Sequence, residues 1–122
     1  MKPFFETKKF SAAIVGGAGY TGGEAIRLLV NHSDIELRWV HSNSNAGNLL
    51  SDVHTDLLGD TDMRFTDRLL WMGLDAVLLC VGHGDARKFL AENEIPDSVR
   101  IVDLSQDFRL AGGAGAAGNT IS

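Results

Sequence analysis

Five of the chain's 14 glycines fall within Gly16 to Gly23, between an apolar run and a helical pattern. Glycine loses more backbone entropy on ordering than any other residue and offers no side chain to pack. A cluster this dense therefore marks a tight turn and fixes what stands on either side. Before it, Ser11 to Val15 (Ser-Ala-Ala-Ile-Val) is a short apolar run that stops at glycine, as a buried parallel strand does. After it, Ala25, Ile26, Leu29 and Val30 share one side of a helix, with Glu24 and Arg27 on the other. Thr21-Gly22-Gly23-Glu24 fits a capping box, with Thr21 expected to cap the helix. Asn31 to Asp34 are turn formers, and Ile35, Leu37 and Trp39 then alternate with Glu36 and Arg38 at strand period. Strand, glycine turn, helix and strand within about 30 residues make a βαβ unit.

The rest of the chain repeats the alternation. His41 to Asn48 reads as a polar loop, and Leu49, Leu50, Val53, Leu57 and Leu58 as a short amphipathic helix ending at Gly59. Met63 to Phe65 reads as a brief strand and Asp67 to Met72 as a helical turn. Ala76 to Val81 is the clearest buried strand. Gly82-His83-Gly84-Asp85 turns it into a helix bearing Ala86, Phe89 and Leu90, which Pro96 breaks, and Ile101 to Leu104 is a further strand. Trp39, Phe65 and Trp71 read as core residues. Strands alternating with helices predict an α/β fold, a Rossmann-type doubly wound and mainly parallel sheet.

Composition narrows the function classes. A chain of 122 residues has room for one buried core. The formal charge is -5, and the only local basic excess is Lys2, Lys8 and Lys9, so nucleic acid is not an expected partner. The longest apolar run is the six residues Ala76 to Val81, against about 20 needed to cross a bilayer, so no membrane partner is expected. Met1 to Phe10 lacks the apolar stretch and cleavage site of a secretory signal. The single cysteine, Cys80, excludes an intramolecular disulfide, and inside an apolar strand it reads as a buried core thiol. His32, His41 and His54 show no ligand spacing, and no metal site is expected. A cytoplasmic domain is the reading that remains.

Gly17-Ala18-Gly19-Tyr20-Thr21-Gly22 is a G-x-G-x-x-G, and Gly16, Gly19 and Gly22 also form G-x-x-G-x-x-G. Glycine suits this position because the chain turns sharply, the backbone approaches a pyrophosphate and the helix packs tightly on the sheet. The helix N-terminus then presents unpaired N–H groups to phosphate. Dinucleotide binding is favoured over the alternative, an ordinary tight βα turn, because the motif follows a strand and opens a helix. At the end of the second strand an NAD binder usually carries an acid for the ribose 2′-OH. Val40 to Asn45 has none, whereas Ser42, Asn43 and Ser44 can donate to a 2′-phosphate, so NADP is favoured over NAD. Arg38 and Lys88 are the candidate cations for that phosphate; a merely solvated polar turn is the alternative. Gly82, His83 and Gly84 follow the strongest strand at its carboxyl end, where open α/β sheets bind ligands. An ordinary strand-to-helix turn explains them equally well. Asp103 to Arg109 leaves the last strand as a polar exit, with Asp107 and Arg109 placed for a surface ion pair.

Taken together, Ala13-Ile-Val-Gly-Gly-Ala-Gly-Tyr-Thr-Gly-Gly-Glu24, Ser44-Asn-Ala-Gly-Asn48, Val81-Gly-His-Gly84 and Val102-Asp-Leu-Ser-Gln-Asp-Phe-Arg109 resemble N-acetyl-gamma-glutamyl-phosphate reductase, an enzyme of arginine biosynthesis. The resemblance runs in order from about Phe10 to Leu110. It implies an NADPH-dependent reduction of an acyl phosphate to an aldehyde with release of phosphate, through a cysteine thiolate that forms a thioester and a histidine that acts as acid and base. By position, Gly16 to Gly22 would cradle the pyrophosphate, Ser42 to Ser44 the 2′-phosphate, and Gly82 to Gly84 would lie along the ribose and nicotinamide.

The family's catalytic cysteine and histidine belong to a second α+β domain beyond the Asp-Phe-Arg segment. Neither Cys80 nor His83 inherits those roles, so the expectation is a cofactor-binding half without catalytic residues. Residues 1–10 are then an N-terminal extension, 11–110 the NADP-binding domain, and 111–122 a Gly/Ala-rich tail or join; Gly115 to Asn119 resembles the start of the family's returning helix. Two rivals stand beside this reading: the cofactor domain of a related enzyme such as aspartate-semialdehyde dehydrogenase, and a nucleotide-binding regulatory module without chemistry. Whether the chain forms a homo-oligomer stays open, because the family's contacts can involve the second domain.

Overall fold

The structure, a computed structural model, describes residues 9–104. In chain order the elements are β1 (Phe10–Val15), α1 (Tyr20–Val30), β2 (Ile35–His41), α2 (Leu50–Val53), a 3-10 turn (Thr55–Leu57), β3 (Phe65–Thr66), β4 (Ala76–Leu79), α3 (His83–Glu92) and β5 (Arg100–Asp103). The five strands form one sheet in the order β3-β2-β1-β4-β5, with every pairing parallel. This is the expected doubly wound arrangement, and β1 lies at its centre.

Side-chain alternation along β1 divides the core in two. Ala12 and Ile14 face α1 and α2, joining Ile26, Leu29, Leu50, Leu57 and Phe65. Ala13 and Val15 face α3, joining Val77, Leu79, Ala86 and Val99. A strand covered on both faces reads as an unbroken apolar run, which is why Ser11 to Val15 shows no alternation. The base of β1 is tied to the start of β4: the Ser11 N–H donates to Asp75 Oδ2 (2.8 Å) and the Ser11 hydroxyl to the Gly73 carbonyl (2.8 Å).

Five local expectations are corrected. The alternation of Ile35, Leu37 and Trp39 predicts one shared face, but the β1–β2 register shifts between Ala12, paired with Leu37, and Ala13, paired with Trp39. Arg38 is the extra residue of a β-bulge, which reverses the parity of the strand. Leu37 and Val40 therefore pack with α1, while Trp39 crosses to the α3 side. There Trp39 meets Trp71 edge-on at 5.5 Å and donates from Nε1 to the Leu70 carbonyl (3.0 Å). Those contacts hold 67–72 against the sheet as irregular chain, not as the expected helical turn.

Thr21 does not cap α1. Gly19 does, because Gly23 N–H already donates to the Gly19 carbonyl (2.9 Å), and Glu24 turns to Arg27 (3.1 Å) instead of back to a cap. The amphipathic segment after the polar loop is split at His54, whose backbone (φ -110°, ψ 84°) separates α2 from the 3-10 turn. Finally, β4 ends at Leu79 instead of Val81, because its partner β1 ends at Val15: the Cys80 N–H makes the last bond of that ladder, to the Val15 carbonyl (2.8 Å), and Val81 packs against Gly16. The expected 1–10 extension and 111–122 tail, and the Asp107–Arg109 pair, lie wholly or largely outside the described residues. No helix among the described residues is long and apolar enough to cross a membrane.

Ile14 is fully buried at the centre of the sheet, whereas Leu28 on the outer face of α1 is 73% exposed. Ile14→Ala is expected to cost about 2–5 kcal/mol through the cavity it leaves. Leu28→Ala should stay within about 0.5 kcal/mol. Urea unfolding followed by circular dichroism measures both.

Candidate functional site

β1 hands the chain to β2 on one side of the sheet and β4 hands it to β5 on the other. The crevice opens where the order reverses, beyond the carboxyl ends of β1 and β4. The two strand exits touch there. A Cβ on Gly16 would lie 2.5 Å from Val81 Cγ1 and 2.8 Å from the Val81 nitrogen, and the φ of +86° at Gly16 is itself left-handed. Gly16 and Gly17 N–H groups both donate to the His41 carbonyl (3.1 Å each), fastening the turn to β2.

The other glycines of the turn divide into two kinds. A Cβ on Gly22 would lie 2.4 Å from the Gly16 carbonyl oxygen and 2.6 Å from the Gly17 Cα, so α1 rests directly on the turn backbone. A Cβ on Gly17 would enter Val40, 2.0 Å from its Cγ1. Gly19 is different. Its φ is -84° and a Cβ there would meet nothing within 4 Å. The fold requires no glycine at this position, which leaves the space a ligand backbone contact would use. Because the first intrahelical bond comes from Gly23, the N–H groups of Tyr20, Thr21 and Gly22 precede the ladder. Tyr20 itself is exposed, Thr21 half-buried and Ala18 partly buried against the α1-side core.

Beside the turn lies a cleft of about 470 Å³ whose lining includes Gly16, His41, Ser42, Asn43, Ser44 and Lys88. The expected serine loop and the glycine turn therefore meet in one space. Ser42 is buried and its N–H donates to the Thr66 carbonyl (3.0 Å); Asn43 and Ser44 are exposed. Asn45 braces the loop, its Nδ2 lying 3.4 Å from Ser42 Oγ and 3.3 Å from Ser44 Oγ. Of the two candidate cations, Lys88 on α3 lines the cleft, whereas Arg38 is engaged by Glu36 (3.0 Å). Asp85 and Glu92 of α3 also line it. Burial holds the His41 imidazole below its ordinary pKa, against the pull of Asp67, so the ring is neutral at pH 7. Across the crevice, Gly82 caps α3, the His83 backbone opens that helix, and Gly82 and Gly84 are exposed with no protein atom closer than 3.7 Å to an added Cβ. A larger hollow of about 550 Å³, lined by Phe10, Asp75 and Arg100 among others, lies at the amino ends of the strands, away from the reversal point.

One residue of the site carries no sequence signal. His54 is buried beneath the turn, with Nε2 2.7 Å from the Gly17 carbonyl oxygen. Cys80 is a core thiol as expected: burial first, and Asp103 second, push its pKa up to about 12. It holds no thiolate at neutral pH and is no nucleophile.

A parallel sheet of this order, with a glycine turn and a serine loop meeting at its reversal point, defines a dinucleotide-binding α/β domain. The chain belongs to the family "Semialdehyde dehydrogenase, NAD binding domain", which matches residues 11–117. Within it, the chain is 50% identical over 99 residues to N-acetyl-gamma-glutamyl-phosphate reductase of Bacteroides thetaiotaomicron and 48% over 99 residues to that of Phocaeicola vulgatus. Each alignment covers 81% of this chain and 31% of the relative, so the chain spans about a third of the length of these curated relatives. The resemblance read from the motifs is borne out. Among solved structures, aspartate semialdehyde dehydrogenase with NADP from Candida albicans superposes with a TM-score of 0.62 at 18% identity, covering 86% of this chain and 32% of that one. That likeness is one of fold.

Two outcomes test this geometry. Gly22→Ala should lose about 1–3 kcal/mol of stability, because backbone atoms must move to admit the methyl. Gly19→Ala should stay within about 0.5 kcal/mol, both read by thermal unfolding. Native Cys80 should resist Ellman's reagent at pH 8 until urea is added. With a folded pKa near 12 against an ordinary 9.0, the folded state holds the thiol proton more tightly. The stability difference between wild type and Cys80→Ala should be constant below pH 9 and fall as pH climbs toward 12.

Proposed function

We propose that this chain is the NADP(H)-binding domain of an oxidoreductase that reduces N-acetyl-gamma-glutamyl phosphate to the corresponding semialdehyde, residues 11–110 forming that domain. The observation that carries the reading is the single space shared by a turn whose Gly19 no fold contact requires and a serine loop without an acid. When bound, NADPH supplies the hydride. The chain's own residues bind and orient. Ala18, Gly19, Tyr20, Thr21 and Gly22 present backbone N–H groups and the positive end of α1 to the pyrophosphate, while Gly16 and Gly17, bonded to the His41 carbonyl, shape the turn that holds them there. Ser42, Asn43 and Ser44 donate to the 2′-phosphate, and Lys88 supplies the charge that serines lack. Gly82, His83 and Gly84, at the N-terminus of α3, border the ribose and nicotinamide.

The relatives near 50% identity favour the N-acetyl-gamma-glutamyl phosphate reaction over that of aspartate-semialdehyde dehydrogenase, whose solved relative is alike in fold alone. With Cys80 buried and protonated, the described residues hold no thiolate for acyl transfer. The nucleophile then belongs to a further domain of the full enzyme, and this chain by itself binds without reducing.

Calorimetric titration with NADPH, NADP, NADH and NAD tests the reading. NADP(H) should bind about tenfold or more tightly than NAD(H), and Lys88→Ala should narrow that gap while leaving NADH binding unchanged. Gly19→Asp should abolish binding by placing a carboxylate where the pyrophosphate belongs. Equal affinity for NADPH and NADH would overturn the serine-loop assignment, and no binding of any of the four would overturn the cofactor role of this chain.

A further inference from the structure

The turn is gripped from two sides. Its N–H groups at Gly16 and Gly17 go to the His41 carbonyl, and its carbonyl at Gly17 goes to His54 Nε2, 2.7 Å away. A carbonyl oxygen only accepts, so Nε2 carries the proton of that bond. In a trans peptide the C=O and the following N–H point in opposite directions. Drawing the Gly17 oxygen down to the buried imidazole therefore turns the Ala18 N–H to the opposite, open side of the turn. Among the described residues no backbone hydrogen bond engages that N–H.

The ring cannot drift. A Cβ on Gly23 would lie 2.8 Å from both Cε1 and Nδ1 of His54, so the imidazole is wedged against the first turns of α1. Phe65 lies against it at 6.4 Å between ring centres. Two residues further on, Asp56 is bonded to Arg27 of α1, a bond that holds the Asp56 carboxyl below its ordinary pKa. The backbone break between α2 and the 3-10 turn, at His54 itself, is what lets the ring reach the glycine turn.

We propose that His54 is a positioning residue of the cofactor site: its Nε2–H fixes the Gly17–Ala18 peptide so that the Ala18 N–H faces the pyrophosphate. This rests on the cofactor reading above. His54 itself touches no cofactor.

Three variants and two ligands test it. His54→Gln keeps an amide N–H at the reach of Nε2, His54→Asn is one bond shorter, and His54→Phe keeps the ring and loses the donor. NADPH carries the pyrophosphate; adenosine 2′-monophosphate reaches the serine loop without it. The Phe and Asn variants should bind NADPH about tenfold more weakly, the Gln variant within about threefold of wild type, and all should bind adenosine 2′-monophosphate alike. Equal losses for both ligands, or no rescue by Gln, would reduce His54 to a packing residue and overturn the proposal.

A second arm needs no ligand. Nitrogen NMR of the wild-type imidazole should show the proton on Nε2, and His54→Phe should shift the Ala18 amide resonance while leaving Val77 and Leu79 in place. A proton on Nδ1 alone, or an unmoved Ala18 amide, would overturn the positioning role. If wild type binds neither ligand, the cofactor reading fails, and this arm still decides whether His54 sets the peptide.

Discussion

The contact on which the rest of the molecule depends is between backbones. At Gly22 the first turn of α1 comes so close to the exit of β1 that the Gly16 oxygen and Gly17 Cα occupy the space of a methyl group. That approach aims the N-terminus of α1 at the reversal point of the sheet. A helix end carries roughly half a positive charge, and its effect falls off within one turn. Moving the helix back by even one side-chain layer would therefore leave the crevice with its shape and without its field. The left-handed Gly16, the Gly17–Val40 packing and the paired N–H bonds to His41 all serve this one approach.

The glycines separate packing from binding in a way their count does not. Gly16, Gly17 and Gly22 are each demanded by an atom of the protein. Gly19, Gly82 and Gly84 are demanded by none, and all three lie at or within the first turns of helices that open at strand ends. A fold-only account explains the first three and is silent on the second. Space kept empty at three points around one crevice is what a ligand running across it from turn to turn requires.

The parts of this fold that were legible were those written in adjacent residues. Strand, turn and helix around Gly16 to Gly23 each carry their own local signal, and once they are placed, a parallel sheet with its crevice at β1 and β4 follows. What escaped was decided across space. The bulge at Arg38 arises from pairing with β1, so nothing in Ile35 to His41 announces that Leu37 and Trp39 face opposite ways. Thr21 matched a cap by spacing, but the Gly23-to-Gly19 bond had already closed the turn. His54 meets a partner 37 residues away, and a lone histidine among polar neighbours has no signature. Lys88 and Arg38 read alike as candidate cations, and only the placing of α3 beside the serine loop tells them apart: Lys88 lines the cleft, whereas Glu36 engages Arg38.

On the cofactor reading proposed above, the same geometry makes the selection graded. Lys88 is spaced three residues after Asp85 and four before Glu92 on α3, and all three line the cleft. At that spacing either carboxylate can share the lysine's charge when no phosphate is present. A 2′-phosphate would then compete with those two carboxylates for the lysine, which offsets part of its attraction. The neutral His41 adds no compensating charge. The remaining preference would come from hydroxyl and amide donors of Ser42, Asn43 and Ser44, in a loop braced by Asn45, and from the absence of an acid in that loop to receive a ribose 2′-OH. On that proposal, discrimination built from several weak donors and one shared cation would favour the phosphorylated cofactor without excluding the other, whereas a pyrophosphate grip made of fixed backbone would be indifferent to the choice.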